Sequence, residues 1–278
     1  MVDVSIIIVN FNTSELTLDC VDSIRAYTSG VTYEIIVVDN HSEPKDIDRL
    51  RNNSFFSLIC NNQNFGFGYA NNIGIAQSSG KYIFLLNSDT RLLSNIILEM
   101  FEFSESHIGM GAVGCLLLGE NNQDIHSAGA FRSPLSMLSN FFCKLFCLPD
   151  YDKRLLRRIN NKAYLDVDYV TGADLFLKRS LFDEVGGFDP NFFMYNEDSD
   201  LQLRIKEQGL RRVILNSRSI IHLCGASQRG EMTFQKYAIR QKSLKYYVKK
   251  NFSGASYWLM SVTIFFSNIK NHLLLLKQ

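Results

Sequence analysis

The 278-residue chain predicts an α/β fold, a sheet wound with helices on both faces. Two observations carry this expectation. Apolar runs alternate with stretches of helical spacing, and the carboxyl ends of those runs hold polar residues, where sheets of this class bind their ligands. Val4 to Asn10 reads as a buried strand. Asn12 with Glu15 then makes a capping box, and Leu16, Cys20, Ile24 and Tyr27 keep helical spacing after it. Further strands are expected at Tyr33 to Asp39, Ser57 to Cys60, Tyr82 to Leu86 and Ala112 to Leu118, with helices at 45–52, 70–78 and 94–106. The polar strand ends are Asn10-Phe11-Asn12, Asp39-Asn40, Asn61-Asn62 and Asn87-Ser88-Asp89. From Phe131 to Asp166 the composition departs from this order, with an apolar helical stripe (Leu135, Leu138, Phe141, Phe142, Leu145, Phe146) followed by a basic run from Lys153 to Arg158. It reads either as an amphipathic helix packed on the domain or as a lipid contact. The core resumes with a strand from Asp168 to Lys178 that contains Thr171-Gly172-Ala173. Helices follow at Arg179 to Val185 and Glu197 to Gln208, and a strand at Arg212 to Leu215.

A hydrophobic content of 46% is enough for a large core, in one large or two closely joined domains. Met1-Val2-Asp3 runs directly into the first strand with no basic region or cleavage site, so a cytoplasmic location is expected. Six cysteines, at 20, 60, 115, 143, 147 and 224, form no C-x-x-C pair and are expected to be reduced core residues. Cys143 and Cys147 are four apart on a helical stretch, but no further Cys or His accompanies them. The net charge of +1 conceals an asymmetry: residues 229–278 carry nine Lys or Arg and one acid, Glu231. In this tail the basic residues are interleaved with Tyr237, Tyr246 and Tyr247, then followed by an apolar run from Tyr257 to Phe266. The run is too short to span a bilayer, so the tail reads as a helical extension that lies on an anionic membrane or covers the catalytic domain. No nucleic-acid module accompanies it.

Asn87-Ser88-Asp89 offers hard oxygen ligands suited to Mg²⁺ or Mn²⁺. The stretch from Asn64 to Gly74 supplies glycines and amides just before a helix, where backbone can approach a ligand. A G-x-G-x-x-G fingerprint after the first strand and a P-loop are both absent, which disfavours dinucleotide oxidoreductases and P-loop NTPases. His222 is either a core histidine or part of a metal site, with Cys224 to Ser227 turning after it. Between Gly187 and Leu201, aromatic residues lead into Glu197, Asp198 and Asp200. These acids either complement a helix dipole or deliver a catalytic base to a pocket.

The ordered series Ile6 to Asn12, Val37-Val38-Asp39-Asn40, Asn64 to Gly74, Leu86 to Asp89, Thr171-Gly172-Ala173, Gly186 to Arg204 and His222 resembles the inverting family 2 glycosyltransferases of the GT-A fold. Among these it is most similar to the bacterial rhamnosyltransferases of O-antigen and capsule synthesis. The resemblance covers residues 4 to about 227 and implies a Rossmann-related mixed sheet. The domain division is then 1–228 for the catalytic domain and 229–278 for the basic, aromatic extension. The resemblance further implies that Asp39 contacts the base or ribose of a nucleotide sugar, with Asn10 and Asn12 near the same pocket. Asn64, Gly66 and Asn71 would line the nucleotide side together with Asn87 and Ser88. Asp89 and His222 would hold a divalent metal, Mg²⁺ or Mn²⁺. Asn87 stands where the family's D-x-D motif has its first acid, so a neutral amide replaces one charged ligand. Asp198 matches the general base, Glu197 its neighbour, and Thr171, Gly172 and Ala173 the wall where donor sugar and acceptor meet. Asp174 departs from the pattern and Asp200 reads as structural support.

What the resemblance implies is transfer of a sugar with inversion, from a dTDP-rhamnose donor first, or a UDP-hexose or galactofuranose donor second. The acceptor would be a glycan or polyprenyl-diphosphate-linked glycan at the inner face of the membrane. Three other readings compete. A nucleotidyltransferase would need a Gly-rich, basic loop after the first strand, a processive synthase would need transmembrane helices, and a non-catalytic carbohydrate-binding or scaffold protein would keep the fold alone.

Overall fold

In a computed structural model, residues 2–134, 151–223 and 233–275 are described. The Leu135–Phe146 stripe, Cys143, Cys147 and the Cys224–Ser227 turn lie outside them. Strands β1 (Val4–Asn10), β2 (Tyr33–Asp39), β3 (Ser57–Cys60) and β4 (Tyr82–Asn87) pair in parallel, in the spatial order β3, β2, β1, β4. Antiparallel β10 (Asp174–Lys178) follows, then β6 (Met110–Leu118), β11 (Arg211–His222) and β5 (Thr90–Leu92), with β8 (Tyr164–Asp166) also on β11. The sheet is therefore mixed.

Strands buried on both faces need continuous apolar sequence, and β1 shows the reason. Ile6 and Ile8 enter one core with Cys20, Ile24, Leu50 and Met100, whereas Ile7 enters the other with Ala70, Ile75, Leu201 and Ile205. Helices α1 (Ser14–Tyr27), α2 (Pro44–Arg51) and α4 (Ile96–Ser106) cover the first face. On the second lie α3 (Phe67–Ala76), α5 (Tyr151–Ile159), α6 (Arg179–Glu184) and α7 (Glu197–Glu207). Helices α8 (Phe234–Asn251) and α9 (Gly254–Leu275) pack on each other through Leu244, Val248, Met260 and Ile264. No helix among the described residues is long and apolar enough to cross a membrane.

Several expectations need correction. The Asn12–Glu15 capping box does not form: Thr13 is the N-cap of α1 and makes no side-chain cap bond. Asn12 instead adopts φ 56° and accepts from the Glu43 N–H at 2.8 Å. The strand expected from Asp168 to Lys178 is broken into β9 (Tyr169–Val170) and β10. β9 leaves the main sheet to pair with β7 (Ala128–Gly129), because Thr171 donates to the Ser127 carbonyl and Gly172 to Asp198. The strand expected to end at Leu215 runs on to His222 across a register shift, which the polar sequence Asn216-Ser217-Arg218-Ser219 conceals. Cys60 is exposed rather than a core residue, whereas Cys20 and Cys115 are buried free thiols.

Candidate active site

The ends of β4 and β11 converge first. β5 pairs with β11 so that His222 lies opposite Thr90, and the Leu223 N–H binds the Asp89 carbonyl at 2.9 Å. The result is a carboxylate and an imidazole in contact: Asp89 Oδ1 and His222 Nε2 are 3.2 Å apart, with Asp89 2% exposed. Asn87 Nδ2 lies 3.3 Å from the same ring nitrogen. Two donors bound side by side to one divalent ion at ordinary metal–ligand distances are about 3 Å apart. The pair fits that spacing. No cluster of three or more His, Cys, Asp or Glu suited to a metal exists among the described residues, so an ion here would need further oxygens from its own ligand.

The second element is the segment before α7. Tyr195 and Asn196 both have positive φ, 72° and 64°, immediately ahead of Glu197. Asparagine tolerates this backbone and tyrosine does not, so local strain accompanies the turn that delivers Glu197 and Asp198. Asp198 Oδ1 accepts from the Ser199 N–H at 2.7 Å and Oδ2 from the Gly172 N–H at 3.1 Å. Glu197 is buried, and its Oε2 has no hydrogen-bond partner. Burial raises the pKa of both carboxyls; the Asp198 charge raises Glu197 further, while the two backbone N–H groups partly offset the rise at Asp198. Asp198 is therefore the better anion of the pair.

A strap joins these two ends. The Ala173 carbonyl accepts from the Asn87 N–H, and Gly172 donates to Asp198, so residues 171–173 run from the β4 end to the carboxylates. All of this faces one cavity of about 490 Å³. Of the residues expected from sequence, Asn64, Gly66, Asn87, Ser88, Asp89, Thr171, Gly172, Ala173, Glu197, Asp198 and His222 line it.

Four do not: Asn10, Asn12, Asp39 and Asn71 are absent from the lining. Asn10 is wholly buried and donates to Asp39 Oδ1 at 2.7 Å, to Ser42 and to Asp46. Asp39 is engaged by Asn10 and by the Ser42 N–H, and Asn71 bonds back to the Phe67 carbonyl. They brace the loops behind the cavity. Asn64 does so from the lining, accepting from Asn40 and from the Gly66 N–H, each at 2.9 Å. At Gly66 the φ is 87°, and an added Cβ would stand 2.0 Å from the Phe193 carbonyl oxygen. Only glycine lets this loop meet the segment that carries the carboxylates.

Asp174, unplaced by sequence, is wholly buried beside Gly114 and accepts from the Cys115 N–H at 2.7 Å. Burial pushes its pKa up to about 8 against these hydrogen bonds. Asp200 is 1% exposed and pairs with Arg204 at 3.0 Å and Lys250 at 2.9 Å. Its support role is thus a salt bridge that docks α8. Lys250 also reaches Asp189 at 2.7 Å, and Tyr246 reaches Asp189 at 3.0 Å. Ser243 donates to the Tyr195 carbonyl and accepts from Asn196. The basic tail therefore clamps the carboxylate segment. Sequence reasoning missed Phe11, Phe67, His126, Arg132, Tyr169, Met194, Tyr195, Asn196 and Arg240 as lining residues. In sequence Arg132 belongs to the insert and Arg240 to the tail; only the pairing of basic residues with the acids at 189 and 200 signals that the tail folds back.

Comparison with known proteins accords with this geometry. Residues 5–128 match the model of glycosyl transferase family 2. The chain is 28% identical over 239 residues to the O-antigen biosynthesis protein RfbC of Myxococcus xanthus, covering 82% of this chain and 18% of that protein. It is 28% identical over 165 residues to the rhamnosyltransferase WbbL of Escherichia coli K12, covering 57% and 61%. A 56-residue stretch is 41% identical to an N-acetylglucosaminyl-diphospho-decaprenol L-rhamnosyltransferase of Mycobacterium tuberculosis H37Rv, 20% of this chain and 18% of that one. The chain thus spans less than two thirds of each of these relatives. Among solved structures, GalNAc-T7 with UDP, GalNAc and Mn²⁺ superposes with a TM-score of 0.65 at 17% identity, over 90% of this chain and 48% of that one. That likeness shows the GT-A fold.

Proposed function

We propose that this chain acts as a family 2 glycosyltransferase and moves a sugar from a nucleotide-sugar donor to an acceptor hydroxyl with inversion, using Asp198 as general base. One observation carries the reading: the Asp89–His222 pair and the Glu197–Asp198 pair face the same cavity and are joined by the 171–173 strap. A carboxylate on one side suits deprotonation of the attacking hydroxyl. The other side suits the leaving diphosphate, so a single displacement needs no covalent intermediate.

Asp89, His222 and the Asn87 amide would hold a divalent Mg²⁺ or Mn²⁺, which when bound offsets charge on the leaving diphosphate. Asp198, held by the Ser199 and Gly172 N–H groups, takes the proton from the acceptor hydroxyl. Glu197 retains its own proton because burial and the neighbouring charge raise its pKa, and it orients the hydroxyl. Asn64, Gly66 and Ser88 line the nucleotide side, while Asn10, Asn12, Asp39 and Asn71 shape it from behind. Thr171 and Ala173 form the wall between donor and acceptor.

The relatives' names support L-rhamnose as the sugar and a lipid-linked glycan as the acceptor; dTDP-rhamnose is the first donor proposed, with UDP-hexose or UDP-galactofuranose second. Exposed Trp258, Tyr257 and Leu259 on α9, next to the basic α8, support a peripheral position on an anionic membrane, on the cytoplasmic side where nucleotide sugars are available. A thermal-shift panel of nucleotide sugars with Mg²⁺ or Mn²⁺ tests the reading, because a ligand of the folded state raises its apparent stability. Stabilisation by one nucleotide sugar that depends on the metal is expected; none from any member of the panel would contradict it.

A further inference from the structure

One end of the cavity has charge that the proposed chemistry does not use. Arg132 and Arg240 both line it, the first from the segment after β7 and the second from α8. Arg132 Nε donates to Asn196 Oδ1 at 3.1 Å. Beyond that bond, neither guanidinium has an ion-pair or hydrogen-bond partner among the described residues. Both cations face the same cavity; burial and the charge of Arg240 lower the Arg132 pKa, while Tyr169, Tyr247 and Asp198 act the other way. An anion seated between the two arginines would relieve their repulsion and supply acceptors for both guanidinium forks.

Their place identifies whose anion it is. Moving along the cavity wall, Asp89 and His222 come first, then Asn87 bonded to Ala173, then Gly172 bonded to Asp198. Asn196, which holds Arg132, lies beyond Glu197 at the far end of this sequence of contacts. In an inverting displacement the leaving group and the attacking hydroxyl occupy opposite faces of the sugar. The arginines thus stand on the side of the attacking hydroxyl.

We propose that Arg132 and Arg240 form an acceptor subsite for a diphosphate group, so that the acceptor is a glycan carried on a lipid diphosphate. This rests on the glycosyltransferase reading above. The test is calorimetric titration of farnesyl diphosphate, inorganic pyrophosphate and farnesol into the whole chain in metal-free buffer, which keeps the probes from being sequestered. Wild-type protein is expected to bind farnesyl diphosphate more tightly than pyrophosphate, and farnesol least. Arg132→Gln and Arg240→Gln should each weaken both diphosphate probes about tenfold, the scale of one charge-assisted hydrogen bond. Arg240→Lys should retain most of the affinity, and Asp89→Asn, on the donor side, all of it. Because Arg240→Gln also alters α8, melting curves accompany every variant, and Arg132→Gln with Arg240→Lys decides the matter if it unfolds. Unchanged affinity in the arginine variants overturns the subsite. An equal loss in Asp89→Asn assigns the probe to the donor side and overturns it too, and no gain from the farnesyl chain overturns the lipid-linked acceptor. Failure of the glycosyltransferase reading would appear elsewhere, as absence of nucleotide-sugar stabilisation in the wild-type thermal-shift panel.

Discussion

Asp198 accepts two backbone N–H bonds, whereas Glu197 Oε2 accepts none. In the proposed mechanism that asymmetry makes Asp198 the base and Glu197 its proton-holding neighbour, although the two side chains are adjacent. A base with a raised pKa loses activity as pH falls through that value, so the acidic limb of the rate profile should lie above about 4, the ordinary carboxylate value. A rate constant flat down to pH 4 would contradict the burial argument. Asp174 gives a stability prediction. Its pKa near 8 lies above its unfolded value, so its contribution is full at low pH and lost as pH rises toward 8. The Asp174→Asn variant should lose that slope, and thermal melts between pH 5 and 9 will show it; parallel slopes for both proteins would refute the assignment. The sequence marked Asp174 only as a departure from the family pattern, because its environment comes from the β4 and β6 neighbours of β10, more than 50 residues away in the chain. The place of Asp198 at the cavity was legible because the run of residues that carries it is local.

At the scale of elements, the segment from Gly187 to Leu201 is held at both ends by one side chain, Lys250, which bonds Asp189 and Asp200. Lys250→Met leaves Asp200 with Arg204 and Asn251, and should cost about 1–3 kcal/mol, read by denaturant unfolding. It should also loosen the Tyr195–Asn196 turn and lower the rate of transfer. A variant with wild-type stability would show that α8 does not clamp the segment. Gly66→Ala forces a glycine-only backbone and a clash with Phe193, a strain of about 1–3 kcal/mol that melting curves should register. The parallel strands β1 to β4 were readable because each is a continuous apolar run. β5, β7 and β8 were not, since strands of two or three residues carry no periodicity and are fixed by their partners.

Over the whole molecule, the cavity draws on the loops at Asn64 and Asn87, the segment after β7 and helix α8. A division at residue 228 therefore describes the sequence better than the site, to which Arg240 belongs. Outward from α8, the aromatic surface of α9 includes Trp258, 71% exposed, and Phe265, 62% exposed. Trp258→Ala should weaken binding to vesicles containing anionic lipid without changing nucleotide affinity, as measured by co-sedimentation; equal binding by both proteins would reject the membrane face. The central claim, that Asp198 is the base of an inverting transfer, is tested most directly by following donor hydrolysis by proton NMR in the presence of diamagnetic Mg²⁺, with water as acceptor. Wild-type protein should release the sugar first in the anomeric configuration opposite to that of the donor. Asp198→Asn should bind the donor with wild-type affinity yet hydrolyse it at least about a hundredfold more slowly. Release with retained configuration, or wild-type hydrolysis by Asp198→Asn, would contradict the account.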